Sequence, residues 1–151
     1  MPKTLTFEHR YPVSADRLFE LVCDLDTLHA VTRPWIRFDH LPSGPVHTDQ
    51  IVDVAISVLG LLPARPYRMR VTLCDRPTRR MQTHEDGAGV HSLIHDLQVI
   101  PDGTGACLLD RVEIDAGWKT GLLAMLAWGL YRWRHHVRLR LLRAETASTA
   151  P

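Results

Sequence analysis

The C-terminal part of the chain contains one long amphipathic segment, and this segment limits the folds open to everything before it. Between residues 119 and 144, apolar side chains recur at spacings of three and four, which is typical of a helix with one buried face. These positions are Leu122, Leu126, Leu130, Trp133, Val137 and Leu141. No other segment is long enough to cover a large sheet, so the rest of the fold must be arranged around this helix.

The preceding sequence has the alternating period of β-strands. Leu5, Phe7, His9 and Tyr11 alternate with more polar residues near the N terminus, as in a strand with one buried face. Six further strands are predicted downstream, separated by turns rich in proline and glycine. The predicted strands cover residues 4–11, 36–41, 50–59, 67–75, 80–85, 90–100 and 106–115. Their short connections favour a mostly antiparallel sheet.

Two short helices are predicted after the first strand. The first covers residues 15–23 with Ser14 as its N-cap, and the second covers residues 26–31 with Asp26 as its cap and Pro34 after its end. The order of elements predicts an α+β fold, in which a curved seven-stranded antiparallel sheet wraps around the long C-terminal helix. A concave sheet that faces a long helix tends to enclose a cavity, and such cavities are the usual sites for small molecules.

Length, charge and cysteine content narrow the class of protein. The 151 residues suit one domain, which we expect over residues 1–145 with a flexible tail over residues 146–151. A net charge of +1 provides no general attraction to nucleic acid, so we expect no nucleic-acid partner. Three scattered cysteines, no apolar leader and no apolar run long enough to cross a bilayer predict a cytoplasmic protein with reduced thiols.

Three stretches of sequence resemble one known superfamily. The first is the end of the first strand with the following helix, residues 10–19. The other two are alternating patterns on the last two strands: Leu93, His95, Leu97 and Val99, followed by Leu108, Asp110, Val112 and Ile114. Together with the order of elements, they resemble the START-like superfamily known as SRPBCC, whose helix-grip fold is that of the birch pollen allergen and of polyketide cyclases. His95 matches one of two histidines in a bacterial branch of that family, and Asp110 matches its aspartate.

The resemblance implies binding or carriage of a hydrophobic or amphipathic molecule, lipid-like or polyketide-like, between the sheet and the last helix. No cofactor is expected. The side chains that we expect to line the site are mostly apolar, with a few polar groups to orient a ligand. They are Phe7, Trp35, Val54, Ile56, Tyr67, Met69, Leu93, His95, Asp110, Leu126, Leu130 and Trp133.

His95 and Asp110 are the polar members of two apolar strand faces. If both faces point inward, each side chain needs the other or a ligand as a hydrogen-bonding partner. One interpretation is a structural hydrogen bond that holds the two strands in register. The alternative is an enzyme of the cyclase or aromatase kind, in which Asp110 orients His95 as a general base for an enolisable substrate.

The final helix is also rich in arginine. Its second half carries Arg132, Arg134, Arg138, Arg140 and Arg143 with no acidic residue among them. Trp128 lies opposite the apolar face, so the outer side of the helix either closes the cavity, forms a homodimer contact or meets a membrane surface with anionic head groups. This leaves a third possible function, an interaction module that works through its basic helix.

Nine histidines raise the question of a metal site. His91 and His95 lie about 13 Å apart along one strand at a rise of ~3.3 Å per residue, too far to share an ion. His135 and His136 are adjacent on the final helix and point about 100° apart. His9 could approach them from the first strand, but the sequence provides no third ligand, so we expect no metal.

Overall fold

The computed structural model describes residues 2–149 and contains one sheet and three α-helices. The strands are β1 (Lys3–Tyr11), β2 (Ile36–Asp39), β3 (Ile51–Val58), β4 (Arg65–Asp75), β5 (Arg80–Gly87), β6 (Val90–Asp102) and β7 (Gly105–Asp115). The helices are α1 (Ala15–Val22), α2 (Leu25–Thr32) and α3 (Thr120–Thr149), and a short 3-10 turn, Gly117–Lys119, precedes α3.

The seven strands form a single sheet in the order β1-β7-β6-β5-β4-β3-β2, and every neighbouring pair is antiparallel. From β2 onward each strand pairs with the next one in sequence, while the chain's first strand pairs with its last. The predicted helix-grip architecture is therefore confirmed: a curled antiparallel sheet, two short helices after the first strand and a long helix at the end.

The two short helices begin at capping side chains. Ser14 Oγ accepts a hydrogen bond from the backbone N–H of Arg17 at 3.2 Å, as the sequence predicts for α1. For α2 the predicted cap is wrong. Asp24, not Asp26, is the N-cap, because its Oδ1 accepts the N–H of Thr27 at 3.0 Å. Asp26 lies in the first helical turn, where its carboxylate accepts the N–H of Gly44 at 3.4 Å.

The largest apolar cluster lies between α1 and the inward faces of the strands. Phe19 and Leu18 of α1 pack with Val99 of β6 and Leu108 of β7, and all four are almost completely buried. The apolar period of these strands thus predicts their buried side correctly. Leu142 joins this cluster from α3, so the end of the long helix packs against the same core.

The long helix extends further than its sequence pattern indicates. It continues to Thr149, whereas the sequence predicted an end near residue 144 and a flexible tail from 146. Arg17 of α1 forms a two-pronged ion pair with Glu145, with N–O distances of 3.0 and 2.6 Å, which attaches this end of α3 to α1. Residues 150 and 151 of the predicted tail lie outside the described residues.

Candidate functional site: a cavity between the sheet and the long helix

A cavity of about 180 Å³ lies between the sheet, α2 and α3. Its walls are mainly aliphatic and come from alternate residues of the central strands. Typical contributors are Val52, Met69, Met81 and Leu97, all buried. Sites for drug-sized molecules measure about 300–1,000 Å³, whereas a dry cavity of ~150 Å³ can hold benzene. The present volume therefore suits an apolar group of about the size of one aromatic ring.

Seven of the twelve side chains expected to line the site lie along this cavity. They are Ile56, Tyr67, Met69, Leu93, His95, Leu126 and Leu130. The other five, Phe7, Trp35, Val54, Asp110 and Trp133, do not border it.

The five residues away from the cavity have identifiable packing roles nearby. Phe7 stacks on the ring of Tyr131 with centroids 5.1 Å apart, so Tyr131 stands between it and the cavity. Asp110 lies behind His95. Trp35 packs over Gly129 of α3, and Trp133 donates its indole N–H to the backbone oxygen of Arg33 at 2.7 Å. Both tryptophans thus connect α3 to the segment after α2, and neither borders the cavity described above. Val54 is buried on β3.

His95 and Asp110 form a buried hydrogen bond with an Nε2–Oδ1 distance of 2.7 Å. They are diagonal neighbours on β6 and β7, since Leu97 is the direct partner of Asp110 in the register. Burial raises the pKa of Asp110, but the hydrogen bond and charge of His95 and the charges of Arg138 and Arg134 outweigh it, so the pKa lies below its usual value. Ionised Asp110 accepts the proton of Nε2, and Nδ1 is then the basic nitrogen of His95.

Two of the five arginines of α3 point into the interior. Arg134 and Arg138 are 8% and 5% exposed, and both line the cavity. Arg134 lies with its guanidinium carbon 4.6 Å from the ring centre of Tyr131. Within residues 2–149, Nε of Arg134 and both Nε and Nη1 of Arg138 are buried without a hydrogen-bond partner.

A second polar group in the cavity comes from β4 and β5. Tyr67 donates its hydroxyl to Glu85 Oε2 at 2.6 Å, and Thr83 donates to Oε1 of the same carboxylate at 2.7 Å. Burial, reinforced by the negative charge of Glu85, raises the pKa of Tyr67 well above its usual value. Both oxygens of Glu85 therefore have donors, and Tyr67 is a neutral hydroxyl at neutral pH.

Several cavity residues have no clear signal in the sequence. On β5, Met81, Thr83 and Glu85 alternate as a strand with one buried face should, but their mixed polarity hides the pattern. On α3 the inward face includes Leu123, Ala127, Tyr131, Arg134 and Arg138, whereas Leu122, the first residue of the predicted apolar stripe, is exposed. A search for helical spacing that admitted aromatic and basic residues could have found this face.

Histidines from β1 and α3 contact one another through their rings. The rings of His9 and His135 stack with centroids 4.4 Å apart, and His136 follows at 5.5 Å from His135. Burial and the neighbouring charges of His9, His136 and Arg138 lower the pKa of His135 to about 4, so its ring is neutral at pH 7. In the described part of the chain, no three histidine, cysteine or acidic side chains are arranged to hold a metal ion.

The outer face of α3 and the turn before it carry exposed apolar side chains. Trp118, Leu122, Met125 and Trp128 form an outer apolar stripe, in which Trp118 is 89% exposed. Lys119 and Arg132 lie over the rings of Trp118 and Trp128, at 5.3 and 4.7 Å from the ring centres. The described helices include none that is long and apolar enough to cross a membrane.

Comparison with known proteins identifies the fold. No family model and no curated sequence match the chain. Several solved structures do, at low identity. A protein from Rhodobacter sphaeroides is 17% identical with a TM-score of 0.73, covering 93% of each chain. Norcoclaurine synthase from Thalictrum flavum is 16% identical with a TM-score of 0.68, covering 94% of this chain and 87% of its own. A START superfamily protein from Mycobacterium smegmatis is 11% identical with a TM-score of 0.69, covering 93% and 97%.

The chain therefore has the helix-grip fold of the START-like proteins. Ara h 8.0201 has the same fold, with 12% identity, a TM-score of 0.65 and coverage of 91% of this chain and 98% of its own.

Proposed function

We propose that this protein binds or carries a small hydrophobic or amphipathic molecule in the cavity between the sheet and α3. The observation that carries the proposal is the cavity itself: about 180 Å³ of space between the sheet and α3, walled mainly by aliphatic side chains. A void of this size is costly unless a ligand occupies it, because its lining loses packing contacts. The volume favours a single small amphiphile over a two-chain lipid.

A structural relative supports a small ligand of this kind. Norcoclaurine synthase, which shares the fold at a TM-score of 0.68 and 16% identity, has been solved in complex with dopamine and hydroxybenzaldehyde, covering 95% of this chain and 88% of its own. Both of these molecules contain one aromatic ring. A fold of these proportions can therefore enclose ring-sized molecules, and we infer that this chain does so.

The first test combines native mass spectrometry of gently purified protein with binding of benzyl alcohol, a neutral ring-sized probe, measured by ligand-observed NMR. We expect an added small-molecule mass, saturable benzyl alcohol binding, or both. Ala127→Leu places three more carbons inside the cavity and should abolish both signals, because Ala127 lines it. Ala147→Leu adds the same carbons at an exposed position of α3 and should change neither. Wild-type protein with neither signal would overturn the proposal.

A second candidate function is proton transfer by His95. It is favoured by one contact: His95 lines the cavity while Asp110 holds Nε2 at 2.7 Å, which leaves Nδ1 as a base beside any bound molecule. This is the cyclase-like or aromatase-like alternative. Its simplest half-reaction is removal of a proton next to a carbonyl group.

The proton-transfer candidate can be tested without the natural substrate. In D₂O, acetophenone should exchange its methyl protons faster with wild-type protein than with His95→Gln, as followed by NMR. His91→Gln, on the same strand but exposed, is the matched control and should exchange like the wild type. Equal exchange in all three proteins, no faster than in buffer, would leave ligand binding without catalysis as the function.

A third candidate is contact with a membrane surface through the outer apolar stripe. Four exposed apolar residues on one face, flanked by Lys119 and Arg132, suit an anionic bilayer, where tryptophan occupies the interface and cations meet head groups. A ligand that partitions into membranes would then reach the cavity from that surface. The occupant proposed here is the bilayer, and a homodimer is the competing outcome.

Flotation with vesicles separates these outcomes. We expect co-flotation with phosphatidylglycerol vesicles at low salt, weaker binding to phosphatidylcholine, and loss of binding in Trp118→Ser with Met125→Ser. Leu73→Ser, which removes an exposed apolar side chain from β4, is the control and should still float. No flotation, together with a dimer in analytical ultracentrifugation that the two serines dissociate, would assign the stripe to self-association.

A further inference from the structure

Arg134 and Arg138 lie one helical turn apart on the inward face of α3, and both line the cavity. They are 92% and 95% buried. Arginine is charged at every physiological pH and has donors only, so burial cannot be relieved by losing the proton. In a soluble protein, a buried charge normally pairs with an opposite charge or a ligand.

The neighbouring acidic groups do not provide that partner. Both oxygens of Glu85 accept hydrogen bonds from Tyr67 and Thr83, at 2.6 and 2.7 Å. Asp110 Oδ1 is bonded to His95, and Oδ2 has no hydrogen-bond partner within the described chain. The two carboxylates balance the interior charge at a distance, yet the two guanidinium groups retain free N–H donors.

We propose that Arg134 and Arg138 bind the acidic head group of the cavity's ligand, a carboxylate attached to a ring-sized apolar body. This inference rests on the proposed function and specifies its ligand. The planar fork of a guanidinium matches the two oxygens of a carboxylate, and two forks on adjacent turns can share one such group. The apolar body would lie against the aliphatic walls, including Met81 and Leu97.

The proposal separates the arginines of α3 into two groups by direction. Arg134 and Arg138 face the cavity, whereas Arg132, Arg140 and Arg143 are exposed on the other side of the same helix. A head-group site must depend on the first pair alone. A general attraction of anions to a basic helix would depend on all five about equally, and it would weaken with salt.

Isothermal titration calorimetry with benzoate and benzyl alcohol tests this directly, because the two probes share a ring and differ in charge. Wild-type protein should bind benzoate at least tenfold more tightly than benzyl alcohol. Arg134→Gln or Arg138→Gln should weaken benzoate binding roughly 10- to 100-fold, the range for a charged hydrogen bond, and leave benzyl alcohol within about twofold. Arg132→Gln and Arg140→Gln, the exposed controls, should leave both affinities within about twofold.

The outcomes are distinguishable. Equal binding of benzoate and benzyl alcohol to wild-type protein overturns the head-group site and leaves the cavity proposal standing, and this comparison needs no variant to fold. Binding of neither probe overturns the head-group site, and together with the absence of a co-purifying small-molecule mass it overturns the cavity proposal as well. Equal loss in the exposed and buried variants assigns the effect to the general charge of the helix. Phenyl phosphate serves as a further arm: tighter binding than benzoate would replace the carboxylate by a phosphate as the head group.

Discussion

Replacing His95 by leucine should destabilise the protein through Asp110. The variant removes the donor at 2.7 Å and leaves both oxygens of a buried carboxylate without a hydrogen-bond partner in the described structure. Loss of one member of a buried charged pair costs about 3–5 kcal/mol. The cost has a ceiling, because Asp110 can take up a proton instead. Protonating a carboxyl group whose ordinary pKa is 3.8 costs about 4 kcal/mol at pH 7, at ~1.36 kcal/mol for each pH unit above the pKa.

We therefore expect His95→Leu to lose about 3–4 kcal/mol at pH 7, or roughly 6–16 °C in Tm for a domain of this size. At pH 5 the same ceiling falls to about 1.6 kcal/mol, so the difference from wild type should shrink as the solution is acidified. Urea unfolding followed by tryptophan fluorescence at both pH values measures this. His91→Leu, exposed on the same strand, should change stability by less than about 0.5 kcal/mol.

The double variant His95→Leu with Asp110→Leu examines the role of the arginines. Replacing both members of a simple buried pair by apolar residues is often neutral or stabilising. Here Asp110 also lowers the electrostatic cost of Arg134 and Arg138, which help to hold its pKa down. The double variant should thus recover only part of the loss. A cost below about 1 kcal/mol for His95→Leu, or no change in that cost between pH 7 and pH 5, would refute this reasoning.

Two further stability predictions concern α3. Gly121→Ala should stabilise the protein by up to about 1 kcal/mol, because its new Cβ meets only the end of Lys3 at 3.8 Å. Gly129→Ala should gain less or lose stability, because its Cβ would lie 2.6 Å from the ring of Trp35. Thermal unfolding of the two variants measures the difference. Acidification from pH 6.5 to 4 should destabilise the protein, because the pKa of His135 is lowered in the folded state and the unfolded chain therefore takes up a proton on this residue first. The expected loss is about 1–2 kcal/mol, which allows for the partial exposure of the ring to solvent. His135→Gln should flatten that part of a pH–stability profile.

The elements that follow one simple period were predictable from the sequence. The seven strands were placed within two residues of their observed ends, because β-strands buried on one side alternate strictly and their turns contain proline or glycine. The cap of α2 is ambiguous in the sequence because two aspartates, Asp24 and Asp26, lie two residues apart at the start of the helix, and this residue type favours either as a cap. A single hydrogen bond to Thr27 decides between them.

The candidate site was less predictable, because its direction on α3 depends on tertiary packing. Of the six residues in the predicted apolar stripe of α3, only Leu126 and Leu130 border the cavity. The inward face includes Arg134 and Arg138, which any hydropathy pattern assigns to solvent. The His95–Asp110 contact is predictable, since neighbouring strands bring residues of the same face together, and both interpretations of the pair require it.

The sheet has two free ends. Its order begins at β1 and finishes at β2, so among residues 2–149 these edge strands do not pair and the sheet does not close into a barrel. We therefore expect the proposed ligand to enter and leave without breaking any hydrogen bond between strands, with only helices and side chains moving aside. Hydrogen exchange should reflect this division, with slow amides in the sheet whether or not a ligand is present. Protection that changes on binding should be confined to α2 and to the part of α3 that lines the cavity, residues 123–138.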